Sequence, residues 1–319
     1  MKKLINNQYS GIRGFNYQPS YGSHGLEIWG DHFDIEVIRR ELARGKQYFP
    51  KINTIRIWLS HDAFLRDSRS FPEKLEQVLE AGSRLGLQFI VTLFNGWHSW
   101  PAFGGITQLQ VGEWVGVEPA TDVFTPYLEA IIVPHQHDER ILLWDLCNEP
   151  FNCVPDGKPT DDLVNWLKAM YAKCKELGAQ APLCVGAVPK IENLRVLNPM
   201  SDVLTFHPYY AWNMWVETRE EYEANLDEAV EFANAVNKPI LATETGWGSM
   251  EDKHRSEILE VELEGLVKRE IGFTAHILHH TLVADGHRPQ YGPISTANYM
   301  AFIEADGSLR PYHDIFNRF

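Results

Sequence analysis

The stretch Ile141-Leu-Leu-Trp-Asp-Leu-Cys-Asn-Glu-Pro150 decides how this chain is read. An apolar run of strand length stops abruptly in Asn148-Glu149-Pro150. Pro150 has no N–H to give a strand ladder and biases Glu149 away from helical geometry, so the strand ends there. A carboxyl group then stands at the rim of a sheet with a carboxamide beside it. Further along, Lys238-Pro-Ile-Leu-Ala-Thr-Glu-Thr-Gly-Trp247 repeats the design, with Glu244 at the end of a second apolar run.

Outward from these two segments, short β-rich runs alternate with amphipathic stretches from end to end. Strands are expected over Ile12–Asn16, Asn53–Leu59, Gln88–Phe94, Ile141–Asn148, Leu183–Val188, Asp202–Phe206, Pro239–Glu244 and Gly272–Leu278. Helices are expected over Asp34–Phe49, Pro72–Leu85, Thr125–His135, Asp161–Leu177, Arg219–Val236 and Asp252–Arg269. The fifth crossover, Pro189–Ser201, has room for a helical turn or two. Strands separated by helices pair in parallel, and eight of them close a TIM barrel. The expectation is α/β, one (β/α)8 barrel filling residues 1–319 as a single domain. The longest loops follow the third strand (Asn95–Phe124) and the eighth (Thr281–Ser295). Loops after barrel strands lie on the catalytic face, so these two should shape the cleft.

A formal net charge of −14 argues against nucleic acid or an anionic membrane as partner. Ten Trp suit packing and also the flat faces of sugar rings. The start Met1-Lys-Lys-Leu-Ile-Asn-Asn-Gln has no apolar signal region, and no run is long enough to span a membrane. Cytoplasmic residence is the expectation. Oligomeric state has no signature here. The four cysteines lack metal-type spacing, and Cys147 reads as a buried free thiol. In His276-Ile-Leu-His-His280, strand alternation sends His279 and His280 to opposite faces, so they do not chelate one ion together. No metal or other cofactor is expected.

Two carboxyls on two strand ends are what acid-assisted displacement at a sugar carbon requires. Here the chain resembles the clan A retaining glycoside hydrolases, which carry an Asn-Glu acid/base on the fourth strand and a Glu nucleophile on the seventh. It is most similar to family five, the cellulase and β-mannanase family. The resemblance rests on Asn148-Glu149-Pro150, on Thr205-Phe-His-Pro-Tyr209 ahead of Thr243-Glu244, and on Arg56 within Asn53-Thr-Ile-Arg-Ile-Trp58. Phe94-Asn-Gly-Trp-His-Ser-Trp-Pro-Ala-Phe-Gly-Gly105 is similar to a β-mannanase loop and adds Trp97 and His98 to the candidates.

The resemblance implies roles. Glu149 would protonate the leaving oxygen and then deprotonate water, its proton retained by partial burial and by the Glu244 charge. Glu244 would attack the anomeric carbon, kept ionised by Arg56 beneath it and a hydrogen bond from Tyr209. Asn148 would hold the sugar 2-hydroxyl, and His207 the sugar or the Glu149 carboxyl. Trp97 and Trp247 are favoured as sugar platforms among Trp97, Trp100, Trp212 and Trp247. In one place the chain departs from the family. A Trp is usual near the end of the eighth strand, under the sugar, and Gly272–Val283 has none; His279 or His280 is expected there instead. The implied activity is hydrolysis of β-linked, manno- or gluco-configured oligo- or polysaccharides with retention, in exo fashion if the long loops close one end of the cleft. The alternatives are a β-galactosidase, β-glucosidase or transglycosylase of the same clan, a metal-dependent barrel hydrolase, and a non-catalytic sugar-binding barrel.

Overall fold

The computed structural model describes residues 2–5, 7–96, 120–152, 160–188, 190–211 and 216–319, with the side chains of 120–122 excepted. Eight parallel strands close into a barrel in chain order. They are β1 (Arg13–Asn16), β2 (Thr54–Trp58), β3 (Gln88–Asn95), β4 (Ile141–Asn148), β5 (Leu183–Ala187), β6 (Leu204–Phe206), β7 (Ile240–Thr245) and β8 (Gly272–Ala275). Closure is between β1 and β8, where Arg13 lies opposite Phe273 and Phe15 opposite Ala275. The crossovers carry the helices Ile35–Tyr48, Phe71–Ser83, Ala120–Ile132, Asp161–Glu176, Ile191–Leu197, Arg219–Val236 and Asp252–Lys268. This is the (β/α)8 barrel that the alternating sequence predicts.

Local chemistry starts the helices where it should. Asp34 accepts from the N–H groups of Glu36 and Val37. Thr218 and Glu221 form a reciprocal capping box ahead of Arg219–Val236, satisfying backbone donors that have no partner inside the helix. The short fifth crossover holds two turns, as expected. No α-helix follows β8; the chain instead ends in a 3-10 segment, His313–Arg318. Phe316 from that segment stacks on Phe15 with centroids 4.3 Å apart, and Phe49 and Phe302 complete the cluster. Aromatic packing thus covers the β1–β8 seam that a helix would otherwise cover.

Alternation splits each strand between two environments. On β3 and β4, Phe89, Val91, Trp144 and Leu146 join the main core under the helices. Their neighbours Ile90 and Leu143 turn inward and meet Tyr9, Cys184, Val203 and Leu241 in a separate apolar cluster at the base of the lumen. Two residues further along the same strands stand Thr92 and Asp145, paired in register and fully buried. The lumen therefore changes from apolar to polar over one repeat of the pleat.

Among the boundaries that the structure shifts, the end of the eighth strand bears on the site. The eighth strand stops at Ala275, not at Leu278. Beyond it the Ile277 N–H donates to Met300 O, and the Phe302 N–H donates back to Ile277 O. The segment 299–303 thus joins the pairing, while the His276 and Leu278 N–H groups still donate to Thr245 O and Asn16 O. No helix among the described residues is long and apolar enough to cross a membrane.

Candidate active site

Glu149 follows directly on β4, with its backbone at φ 45°, in the left-handed region. For a residue with a Cβ that conformation costs roughly 1–2 kcal/mol, and two neighbouring hydrogen bonds hold it. The Glu149 N–H donates to Gly186 O at 2.9 Å, and the Gly96 N–H donates to Asn148 O at 2.7 Å. Any side chain at 96 would collide with this turn, since its Cβ would lie 2.5 Å from Pro150 Cα. The carboxyl is buried. In its Nδ1–H tautomer His207 donates to Glu149 Oε1 at 2.7 Å, while Asn152 Nδ2 donates to Oε2 at 2.9 Å. Burial pushes the Glu149 pKa up to about 7, although Arg56, Asn152 and His276 all favour the ionised form. Desolvation is the first cause, in line with the burial expected from the sequence, whereas the Glu244 charge expected beside it is not among the main causes. His207, also buried and beside Arg56, is held down near 4 mainly by desolvation, so it is neutral.

Glu244 stands near the end of β7 with both carboxylate oxygens held. Arg56 Nη1 donates to Oε2 at 2.8 Å, and the Tyr209 hydroxyl donates to Oε1 at 2.6 Å. The Arg56 guanidinium also reaches Asp145 at 2.7 Å, Asn148 Oδ1 at 2.7 Å and Asn16 Oδ1 at 3.0 Å. One cation thereby ties β2 to β1, β4 and β7. Asp145 accepts further bonds from Thr92 Oγ1 and the Gly186 N–H. Gly186 is required at this crossing, because a Cβ there would lie 2.9 Å from His207 Nε2 and 3.2 Å from Arg56 Nη2. One oxygen of each Glu and one ring nitrogen of His207 lie within 4.8 Å of one another.

Above this assembly opens a cleft of about 540 Å³. Glu149, Glu244, Asn148, Tyr209 and Trp247 all line it, as the sequence led us to expect. Trp247 is half-buried and packs edge-on against Tyr209 at 5.3 Å. Arg56 and His207 do not line it. Both are fully buried beneath the two carboxyls and out of reach of a molecule in the cleft, which corrects their expected place as substrate contacts. His279 is also absent from the cleft. It faces the Ile35–Tyr48 helix, with Nε2 3.1 Å from Arg44 Nη1 and Nδ1 3.7 Å from Glu41. The residue that reaches the cleft from the end of β8 is His276, because the strand ends one residue before it. Trp97, His98, Trp100, Trp212 and Cys153 lie outside the described residues.

Sequence reading did not single out Asp145, Asn152, Trp58, His276 or Asp285. Asp145 had a usable signal, as the one acid inside an otherwise apolar run. Asp285, in the loop after β8, had none. Two groups among the described residues have metal-like spacing. One is the Glu149–His207–Glu244 assembly itself. In the other, Glu76, His135 and Asp138, both carboxylates are already paired with Arg140.

Comparison with known proteins agrees with this geometry. No curated protein matched the chain. Among solved structures the chain is similar to the exo-β-1,4-mannosidase Op5Man5 from Opitutaceae bacterium strain TAV5, at 17% identity and a TM-score of 0.76. That match covers 99% of this chain but 62% of the other, so this chain spans under two thirds of that protein. It is also similar to a GH5_18 variant from Streptomyces cattleya in complex with Manβ1-4GlcNAc, at 16% identity, TM-score 0.76 and coverage of 96% and 79%. A third is the endo-β-1,4-mannanase from Thermotoga petrophila, at 18% identity, TM-score 0.65 and coverage of 96% and 75%. At such identities the likeness is one of fold. The family model for cellulase, glycosyl hydrolase family 5, matches residues 16–278. With that match spanning most of the barrel and both rim carboxyls, the chain belongs to glycosyl hydrolase family 5, the cellulase family, and is a glycoside hydrolase.

Proposed function

We propose that the protein is a retaining β-glycosidase acting on manno- or gluco-configured, β-linked oligosaccharides by double displacement. The carrying observation is the pairing of a buried Glu149, its pKa pushed up to about 7, with a doubly hydrogen-bonded Glu244, one oxygen of each lying within 4.8 Å of the other. Retaining enzymes space their carboxyls at about 5–5.5 Å, whereas inverting ones need roughly 6.5–9.5 Å to admit a water.

In the first step Glu149 gives its proton to the leaving oxygen as Glu244 Oε attacks the anomeric carbon. The glycosidic C–O bond breaks and a glycosyl–Glu244 ester forms. Arg56 and Tyr209 hold the nucleophile in line, each donating to one carboxylate oxygen. In the second step the Glu149 carboxylate takes a proton from water, which attacks the same carbon and releases Glu244. Two inversions give net retention. His207, neutral and donating through Nδ1, serves both protonation states of Glu149 without carrying the proton itself. Asn148 is the group offered to the sugar 2-hydroxyl.

Support for a mannoside comes from the exo-β-1,4-mannosidase and the Manβ1-4GlcNAc complex among the structural neighbours. Support for exo action comes from the loop after β8, which walls one side of the cleft with Ile294, Ala297 and Met300. The deciding experiment is a panel of aryl β-mannoside, glucoside, galactoside and xyloside beside defined oligosaccharides, with product anomers followed by NMR. The expected first-formed product is the β-anomer of a terminal sugar. An α-anomer would reject retention, and early internal cuts in a reduced, long oligosaccharide would reject exo action.

A further inference from the structure

His276 and Asp285 both line the cleft beside the catalytic carboxyls, and the proposed mechanism uses neither. His276 Nε2 stands 3.1 Å from Asp285 Oδ2, and both residues are more than nine-tenths buried. Trp58 meets the imidazole edge-on at 6.0 Å, and the Arg56 guanidinium lies 4.6 Å over the other ring, that of Trp58. Arg255 Nη2 donates to His276 O at 2.8 Å and to Met300 O at 2.9 Å, which fixes the turn that carries the histidine. The pair is therefore rigid.

It is also incomplete. Asp285 Oδ1 and His276 Nδ1 have no partner among the described residues. A buried carboxylate keeps unfilled acceptor capacity only at a cost, and such groups ordinarily find partners. Burial opposes charge on both residues, but each stabilises the other's ionised form. His276 consequently titrates above an ordinary histidine and Asp285 below an ordinary aspartate. The pair stands in the wall of the cleft as an acceptor-only carboxylate beside a ring N–H donor, its unpartnered atoms covered until a ligand's hydroxyl displaces what lies over them. A sugar hydroxyl, which both donates and accepts, satisfies that pattern. A flat apolar ring face does not, and a substrate carboxylate would be repelled by Asp285.

Building on the glycosidase reading above, we infer that Asp285, oriented by His276, anchors a hydroxyl of the sugar in the cleaving subsite and so selects a neutral pyranoside over a uronide. Asp285 is the contact and His276 the positioning residue. The test compares wild type with Asp285→Ala, Asp285→Asn and His276→Gln on 4-nitrophenyl β-D-mannopyranoside, its 3-, 4- and 6-deoxy analogues and 4-nitrophenyl β-D-glucuronide, with melting temperatures recorded.

In wild type, one deoxy analogue should lose roughly 10–100-fold in kcat/KM, the worth of one hydrogen bond to a charged group. In Asp285→Ala the parent should fall by a similar factor and the penalty for that analogue should vanish. His276→Gln, which keeps a donor toward Asp285, should retain part of it. Asp285→Asn should narrow the preference over the glucuronide. If Asp285→Ala does not fold, the Asn and Gln variants carry the same comparison. A folded variant set in which every deoxy penalty matches wild type overturns the inference. Wild type inactive on all the aryl glycosides would instead overturn the glycosidase reading beneath it.

Discussion

The two halves of the barrel lumen are built from the same strands and behave as opposites. At its base Ile90, Leu143, Val203 and Leu241 form a dry apolar plug. One pleat higher, Thr92 and Asp145 from two of those strands meet Arg56 and Asn16 in a buried polar network, with His207 beside it against both carboxyls. The base is stabilised by removing apolar surface from water, which is insensitive to pH and to exact geometry. The network above it stays buried only because each charge has partners, and its geometry sets where Glu149 and Glu244 stand. The lower layer contributes to stability alone, whereas the upper layer carries the chemistry as well.

The largest effect should come from the top of the upper layer. Glu244→Ala is expected to lose roughly 10⁴-fold or more in kcat. Added azide should restore turnover and give an α-glycosyl azide, and a β-azide from this variant would reverse the two assignments. Glu149→Ala should cost about 10²–10⁴-fold on substrates with poor leaving groups and far less on activated aryl glycosides. On the poor leaving groups, wild-type kcat/KM should fall as pH rises through about 7, where Glu149 loses its proton. A profile without that limb, or one unchanged in the Ala variant, would remove Glu149 from the acid role.

Next comes the layer beneath. Arg56→Met strands the fully buried Asp145 and should cost about 3–5 kcal/mol of stability by chemical denaturation, together with activity, because Glu244 loses one of its two holders. In the base, Leu143→Ala should cost roughly 2–5 kcal/mol with kcat/KM per folded molecule unchanged. If Leu143→Ala changed kcat/KM as much as Arg56→Met, the division between layers would fail.

The smallest effect sharpens the contrast by its sign. The Glu149 pKa is raised on folding, so its contribution to stability is fully present below the unfolded value near 4.5 and is lost as pH rises through about 7. Glu149→Gln should therefore stabilise the protein relative to wild type by an amount that grows between those two pH values. The gain should reach a plateau on the order of 3 kcal/mol. Melting temperatures at pH 5 and pH 8 would show it, and an equal difference at both would contradict it.

Much of this was legible in the chain. Apolar runs of strand length ending in Asn-Glu-Pro and Thr-Glu-Thr-Gly placed both carboxyls at strand ends, since a proline or a polar cluster terminates a ladder wherever it falls. Tyr209 and Arg56 could be named only through the family resemblance, since nothing local in their own segments points to Glu244. Asp145 was harder. A lone acid in an apolar strand announces a buried partner without saying which, and that partner comes from a strand far away in sequence.

The sequence by itself determined the number and order of the strands and which two acids close the fourth and seventh of them, because hydrophobic period and chain-terminating residues are local properties. Only the tertiary structure decided that Arg56 and His207 lie under the carboxyls and not against the sugar. It also decided that His276 and Asp285, rather than His279, face the cleft. Both depend on register across the barrel and on where β8 leaves the ladder. Past that point the segment 299–303 joins the pairing, and a partner brought in by the tertiary fold cannot be read from the local period.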